Sequence, residues 1–189
     1  MHELIPHSGW QTHYIADEDI NSPLYNNQGA PDNGYYHRMY DFIIHPEWDY
    51  IGCETLFVKL IFVDYSQGFA VIELLGEWND TIHNDIMEFK RRLVDSMIEQ
   101  GIDKFLLICD NLLNFHGAED HYYEEWSQET SNGWIVFLNV REQIEQELIN
   151  TRLGNYIWFG KRFILTAWRV QDPLALCQNI DYVVSLALK

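Results

Sequence analysis

The residues best equipped for chemistry in this chain lie between His116 and Glu125, in the run His116-Gly117-Ala118-Glu119-Asp120-His121-Tyr122-Tyr123-Glu124-Glu125. Imidazole and carboxylate together suit zinc, iron, manganese or nickel. On a helix beginning at Glu119, His121 and Glu125 stand four residues apart and share a face, and His116 can fold back from the preceding loop. The run lacks the HExxH pairing of helical zinc sites, so no third ligand is dictated. The plainer reading is an acidic, solvated helix start whose carboxylates complement the helix dipole, and it is preferred. Other chemistries have less support. There is no GxGxxG, no GxxxxGK[ST] and no GxSxG, so the corresponding phosphate loops and nucleophile elbow are absent. Ser127 falls mid-helix with no histidine near it in sequence.

The elements that must position these residues follow from periodicity. Thr55–Tyr65 is rich in Leu, Phe, Val and Ile and reads as a strand, Ser66-Gln67-Gly68 as a turn, and Phe69–Trp78 as a second strand, together a hairpin. Asp80 or Thr81 caps a helix in which Ile82, Ile86, Phe89, Leu93 and Met97 form an apolar stripe, with Gly101 ending it. Lys104–Cys109 is a short, doubly buried strand of the kind found in parallel sheets, and a loop is expected after it. Further along, Glu119–Thr130 is expected to be an acidic helix, Trp134–Val140 a strand and Arg141–Leu153 a helix. Tyr156–Trp168 holds one or two strands, and a last helix starts at Asp172-Pro173 with Leu176, Ile180 and Val184 on one face.

The first 54 residues differ in character. Asn26–Gly34 is turn chemistry, yet Tyr35, Tyr36, Tyr40, Phe42, Trp48 and Tyr50 follow closely. Aromatics at this density do not stay solvated, so residues 1–54 are read as an irregular arm packed on the main domain or on a second subunit, the latter giving a homodimer. Residues 55–189 then form one α/β domain with a mainly parallel sheet, an N-terminal β-hairpin and helices packed on it.

Composition limits the partners. Hydrophobic residues make up 47% of the chain, enough for a sizeable core. Twelve Lys and Arg against 29 Asp and Glu leave a net charge of −17. That field repels phosphate backbones and anionic membranes, so nucleic acid is excluded as a partner and a basic protein is compatible. Cys53, Cys109 and Cys177 are odd in number and far apart, which argues against a disulfide framework. Without a signal-peptide pattern or an apolar run of about 20 residues, a cytoplasmic location and no membrane span are expected.

The order of elements in residues 55–189 resembles the STAS fold, and within it the SpoIIAA-like domains. The local point of similarity is Leu106-Leu107-Ile108-Cys109-Asp110-Asn111-Leu112-Leu113-Asn114-Phe115-His116-Gly117-Ala118, a strand and loop leading to a helix start. The family carries a phosphorylatable serine there. The equivalent place in this chain is near Gly117-Ala118, followed by Glu119 and Asp120, so a phosphorylation switch is not expected. The resemblance implies a non-enzymatic binding or protein-interaction domain without a cofactor. Ligands in open α/β sheets bind outside the carboxyl ends of strands. Glu77, Trp78 and Asn79, Asp110 and Asn111, His116 and Trp126 are therefore the expected site, facing an unidentified protein or a small apolar ligand. The alternatives are a metal-dependent enzyme using His116, His121 and Glu125, and an acidic inhibitor or immunity-type protein that masks a basic partner.

Overall fold

The computed structural model describes residues 2–26, 38–130 and 132–187, so most of the turn-rich cluster Asn26–Gly34 lies outside the described residues. Within the N-terminal arm three short strands pair with one another: β1 (His2–Leu4), β2 (Arg38–Met39) and β3 (Phe42–Ile44), in the order β1-β3-β2. The arm therefore contains a small sheet where none was anticipated. Each strand is too short to show a period of two, and β1 and β3 pair only because the chain returns after more than thirty residues. Trp10 and Trp48 of the arm are buried within the chain, whereas Tyr25, Tyr40 and Tyr50 are exposed. Trp48 is 1% exposed, packs with Ile44, Phe57 and Leu75, and donates from Nε1 to the Leu4 carbonyl at 2.9 Å.

The main sheet is built from β4 (Leu56–Asp64), β5 (Phe69–Asn79), β6 (Lys104–His116) and β7 (Trp134–Leu138), in that order. β4 and β5 are antiparallel, while β5–β6 and β6–β7 are parallel. The hairpin turn forms because Asp64 Oδ1 accepts from the backbone N–H of Ser66 and of Gln67, while Gly68 takes φ +70°. Both faces of the sheet are covered, which is why β5 is fully buried from Phe69 to Leu75.

Alternation sorts the side chains into two layers. Ala70, Ile72, Leu74 and Trp78 meet the helices that follow β5 and β6, while Phe69 and Val71 face the opposite way. The first layer holds α1 (Asp80–His83), the continuous helix formed by α2 (Asp85–Phe89), a π-helical turn over Lys90–Val94 and α3 (Asp95–Glu99), then α4 (His121–Glu129) and α5 (Glu142–Asn150). The second layer is α6 (Pro173–Ala187), whose Leu176, Cys177, Ile180 and Val184 pack with Trp10 and Trp168. As expected for its start, Asp172 Oδ1 accepts from Ala175 N at 2.9 Å.

Three expectations need correction. The helix expected from Asp80 is interrupted at Asn84, in the left-handed region at φ +54°. Ile82 consequently leaves the apolar stripe and is 74% exposed, while Ile86, Phe89, Leu93 and Met97 are buried. The helix cap is Asn79, whose side chain accepts from Ile82 N. The third strand continues seven residues past Cys109, because pairing with β5 supplies hydrogen bonds that the polar text Asp110–Asn114 does not advertise. Two register shifts against β5 break the period of two, so this half of β6 looks like loop when read locally. Finally, Tyr156–Trp168 forms no strand. Gly160 at φ +94° and a turn at 161–163 interrupt it, and a single bridge from Trp158 to Val136 remains. That bridge still covers part of β7's free edge, as Asp49 covers β4 by exchanging backbone bonds with Val58.

Among the described residues no helix is long and apolar enough to cross a membrane. Gly133, just before β7, has the least room for a side chain among the described glycines, since a Cβ there would stand 1.7 Å from the Asp103 carbonyl oxygen. Gly133→Ala is expected to cost about 3 kcal/mol or more, because backbone cannot yield as a side chain can, and urea unfolding followed by tryptophan fluorescence will measure it.

Candidate functional site

The expected site divides into three separate places. At the carboxyl ends of β5 and β6, Asn79 stands opposite His116 and Trp78 opposite Phe115 in the parallel register. Trp78 and Trp126 do not wall a crevice there, for both are 0% exposed. Trp78 packs on Phe89 and Phe115, and Trp126 on Phe89 and Phe105. The space beneath the rim is closed by a knot of polar groups. Asp80 accepts from Trp78 Nε1 at 2.7 Å, from Ile86 N at 2.8 Å and from the Tyr123 hydroxyl at 2.6 Å. Asp85 accepts from Asn79 N at 2.7 Å. Burial raises the Asp80 pKa to about 6 even though these three donors oppose the shift, and burial likewise raises Asp85.

Above that knot the rim is exposed. The Thr81 hydroxyl donates to the Gly117 carbonyl at 3.1 Å, tying the turn after β5 to the turn after β6. His116 is exposed and shares a hydrogen bond with Asn114. Glu77 accepts from the Tyr40 hydroxyl of the arm. His121 stands 3.5 Å from Glu119.

Glu125 belongs to a different group. It accepts from Arg91 at 2.8 and 3.0 Å and from Lys90 at 3.1 Å. Lys90 Nζ is wholly buried and also reaches Asp95 at 2.7 Å and Glu129 at 2.6 Å. Burial works against the Lys90 charge, but the bonds from Asp95, Glu129 and Glu125 outweigh it and raise the pKa; Arg91 lowers that of Glu125. The π-helical turn beginning at Lys90 brings this lysine inward, so the helix after β5 is joined to α4 through ions as well as apolar contact. His116, His121 and Glu125 are thus held by separate partners, and among the described residues no group of three or more His, Cys, Asp or Glu side chains is placed to hold a metal ion.

Asp110 and Asn111 lie midway along β6, where the first register shift aims them toward α6's side of the sheet. There they meet residues that sequence reasoning missed. Glu73, 0% exposed, accepts from His7 N at 2.8 Å, from Asn111 at 3.3 Å and from Arg169 at 3.3 Å. Asp110 accepts from Arg169 at 2.7 Å and from Trp168 Nε1 at 2.9 Å. His7 is lodged between the Trp10 and Trp168 rings at 5.1 and 5.0 Å. One signal could have exposed this cluster: Glu73 is the lone charge in the otherwise apolar run Phe69–Leu75, and a buried carboxylate demands a partner. His7 and Arg169 carry no local mark, because the chain brings them from its two ends. The cluster clasps the arm and the 168–171 turn to the sheet.

Two outcomes follow. Arg169→Ala removes the cation shared by Glu73 and Asp110, and is expected to cost about 2 kcal/mol in urea unfolding, a figure reduced for the partial exposure of the arginine. The Asp80 pKa lies above that of the unfolded chain, so its contribution to stability is full below about pH 4 and is lost as pH rises through about 6. Between about pH 4.5 and 7.5 the wild type should therefore lose on the order of 2 kcal/mol more stability than Asp80→Asn.

No family model matches the chain, and no curated protein matches it. Among solved structures it is similar to the anti-sigma factor antagonist SpoIIAA in its unphosphorylated form, at 14% identity over 68% of this chain and 96% of that one, with a TM-score of 0.45. The phosphorylated form of SpoIIAA, a Bacillus cell fate determinant, is similar at 14% identity over 55% and 91%, with a TM-score of 0.37. A Thermotoga maritima protein described as a candidate anti-sigma factor antagonist is similar at 16% identity over 66% and 92%, with a TM-score of 0.42. A likeness to SpoIIAA, anticipated from the sequence, is thus found among solved structures, and the mixed sheet with its one antiparallel pair rests on this chain's own strand register.

Proposed function

We propose that this chain is a protein-interaction domain of the SpoIIAA-like kind, and that its binding face is the rim formed by α1 and the turn between β6 and α4. The observation that carries this reading is the bond from the Thr81 hydroxyl to the Gly117 carbonyl. It joins the two turns into one surface on which Ile82 is 74% exposed and Ala118 and Glu119 are also exposed. A branched apolar side chain held in solvent beside carboxylates suits a partner with an apolar contact framed by basic residues. Between β6 and α4 stand Gly117, Ala118, Glu119 and Asp120, none of them bearing a hydroxyl. In this reading the turn carries constant negative charge where a phosphorylatable serine would give a switch, so affinity is set permanently.

The same reading makes Glu77, Asn79 and His116 contact or supporting residues of the face, while Trp78 and Trp126 stiffen it from below. Asp110 and Asn111 belong to the clasp on the other face. The net charge of −17 agrees with a basic protein partner and disfavours nucleic acid. Three free, buried cysteines accord with a cytoplasmic setting.

A photo-crosslinking residue placed at position 82 or 119 is expected to capture one discrete partner in cells of the source, whereas the same residue at position 182 on α6 captures none. Ile82→Asp should weaken that complex at least tenfold without changing the unfolding midpoint. Capture from position 182 alone would overturn the choice of face.

A further inference from the structure

A recess of about 420 Å³ lies beside the outer edge of β7, in a part of the fold that neither the rim nor the clasp uses. Its walls come from Ser127, Gln128 and Thr130 at the end of α4, from the start of β7, and from Asn155, Tyr156 and Trp158.

Charge sets the first requirement on an occupant. Charged residues are 22% of the chain, yet among the described residues no Asp, Glu, Lys, Arg or His lines the recess. An ionic ligand would leave water there without a counter-charge, which is costly. Polarity sets the second. The Ser127 hydroxyl and the Asn155 amide make no side-chain hydrogen bond to a described residue, and Gln128 spends only a donor, on Glu124 at 3.2 Å, which keeps its carbonyl oxygen available. Walls of this kind reward an occupant with several hydroxyls and penalise an apolar one. Shape sets the third. Trp158 donates to the Ile135 carbonyl and accepts from Phe137 N, both at 2.8 Å, so the edge of β7 is closed immediately beyond the recess. An added peptide strand is blocked, whereas a compact ring fits. Tyr156, tethered by its hydroxyl to Asp120 at 3.1 Å, and Trp158 supply aromatic walls for the less polar faces of such a ring.

We propose that this recess is a binding site for a small, uncharged, polyhydroxylated molecule: a neutral sugar or cyclic polyol of one or two rings. It is a second site, lined by other residues than the proposed protein-binding rim.

The full chain can be tested by saturation-transfer NMR and calorimetry with glucose, maltose and myo-inositol, and with glucosamine and glucuronate as charged counterparts of similar size. At least one neutral compound is expected to bind saturably and more tightly than either charged one. Asn155→Ala and Gln128→Ala should each weaken that binding at least tenfold. Both positions are exposed, so the unfolding midpoint should not move, and Ile82→Asp at the rim should bind as the wild type does. The proposal is overturned if none of the three neutral compounds binds saturably, if a charged counterpart binds as tightly, or if both alanine variants bind unchanged.

Discussion

The structure depends on the parallel union of β5 and β6 along nearly their whole lengths. These two strands supply the centre of the sheet, and each is covered on both faces, so every backbone polar group that pairing left unmet would be stranded away from water. The pairing survives two register shifts in β6, and those shifts have consequences. They let the strand run on to His116, where its end meets Asn79 and creates the rim. They also direct Asp110 and Asn111 to the face where Glu73 waits.

Covering both faces forces the chain to manage charge inside. Glu73, Asp80, Asp85 and Lys90 are all buried, and each is answered by groups from elsewhere in the sequence. Glu73 gathers His7 from the beginning of the chain and Arg169 from near its end, which locks the arm and the last turns against one strand. Lys90 draws three carboxylates around it and joins two helices. Asp80 receives an indole, a phenol and a backbone N–H, filling the space under the rim that would otherwise be a crevice. The rim proposed as the binding face therefore lies on top of a buried polar knot.

The legible part of the site and the illegible part differ in how far apart their residues lie. Glu77, Trp78 and Asn79 could be placed at a strand end because the strand and the helix after it are both local patterns. Their neighbour His116 was read as loop, because the alternation that marks a strand fails where β6 bulges. Sequence places Trp78 and Trp126 near helix starts, where an indole can wall a pocket or simply join the core, and only the packing shows that both are core. The charge on Glu125 looks available for a metal in sequence, but Lys90 and Arg91, 35 and 34 residues earlier, hold it.

The sequence by itself determined the hairpin, the buried strand after Gly101, the apolar faces of the major helices and the cap that starts α6. Each arises from spacing within a dozen residues, where side-chain period and turn chemistry act directly on the backbone. Tertiary structure alone decided the length of β6, the small sheet in the arm and the distant partners of Glu73, Asp80 and Lys90. Those outcomes are set by groups brought together from distant parts of the chain, where the cost of an unpaired hydrogen bond or charge outweighs local preference.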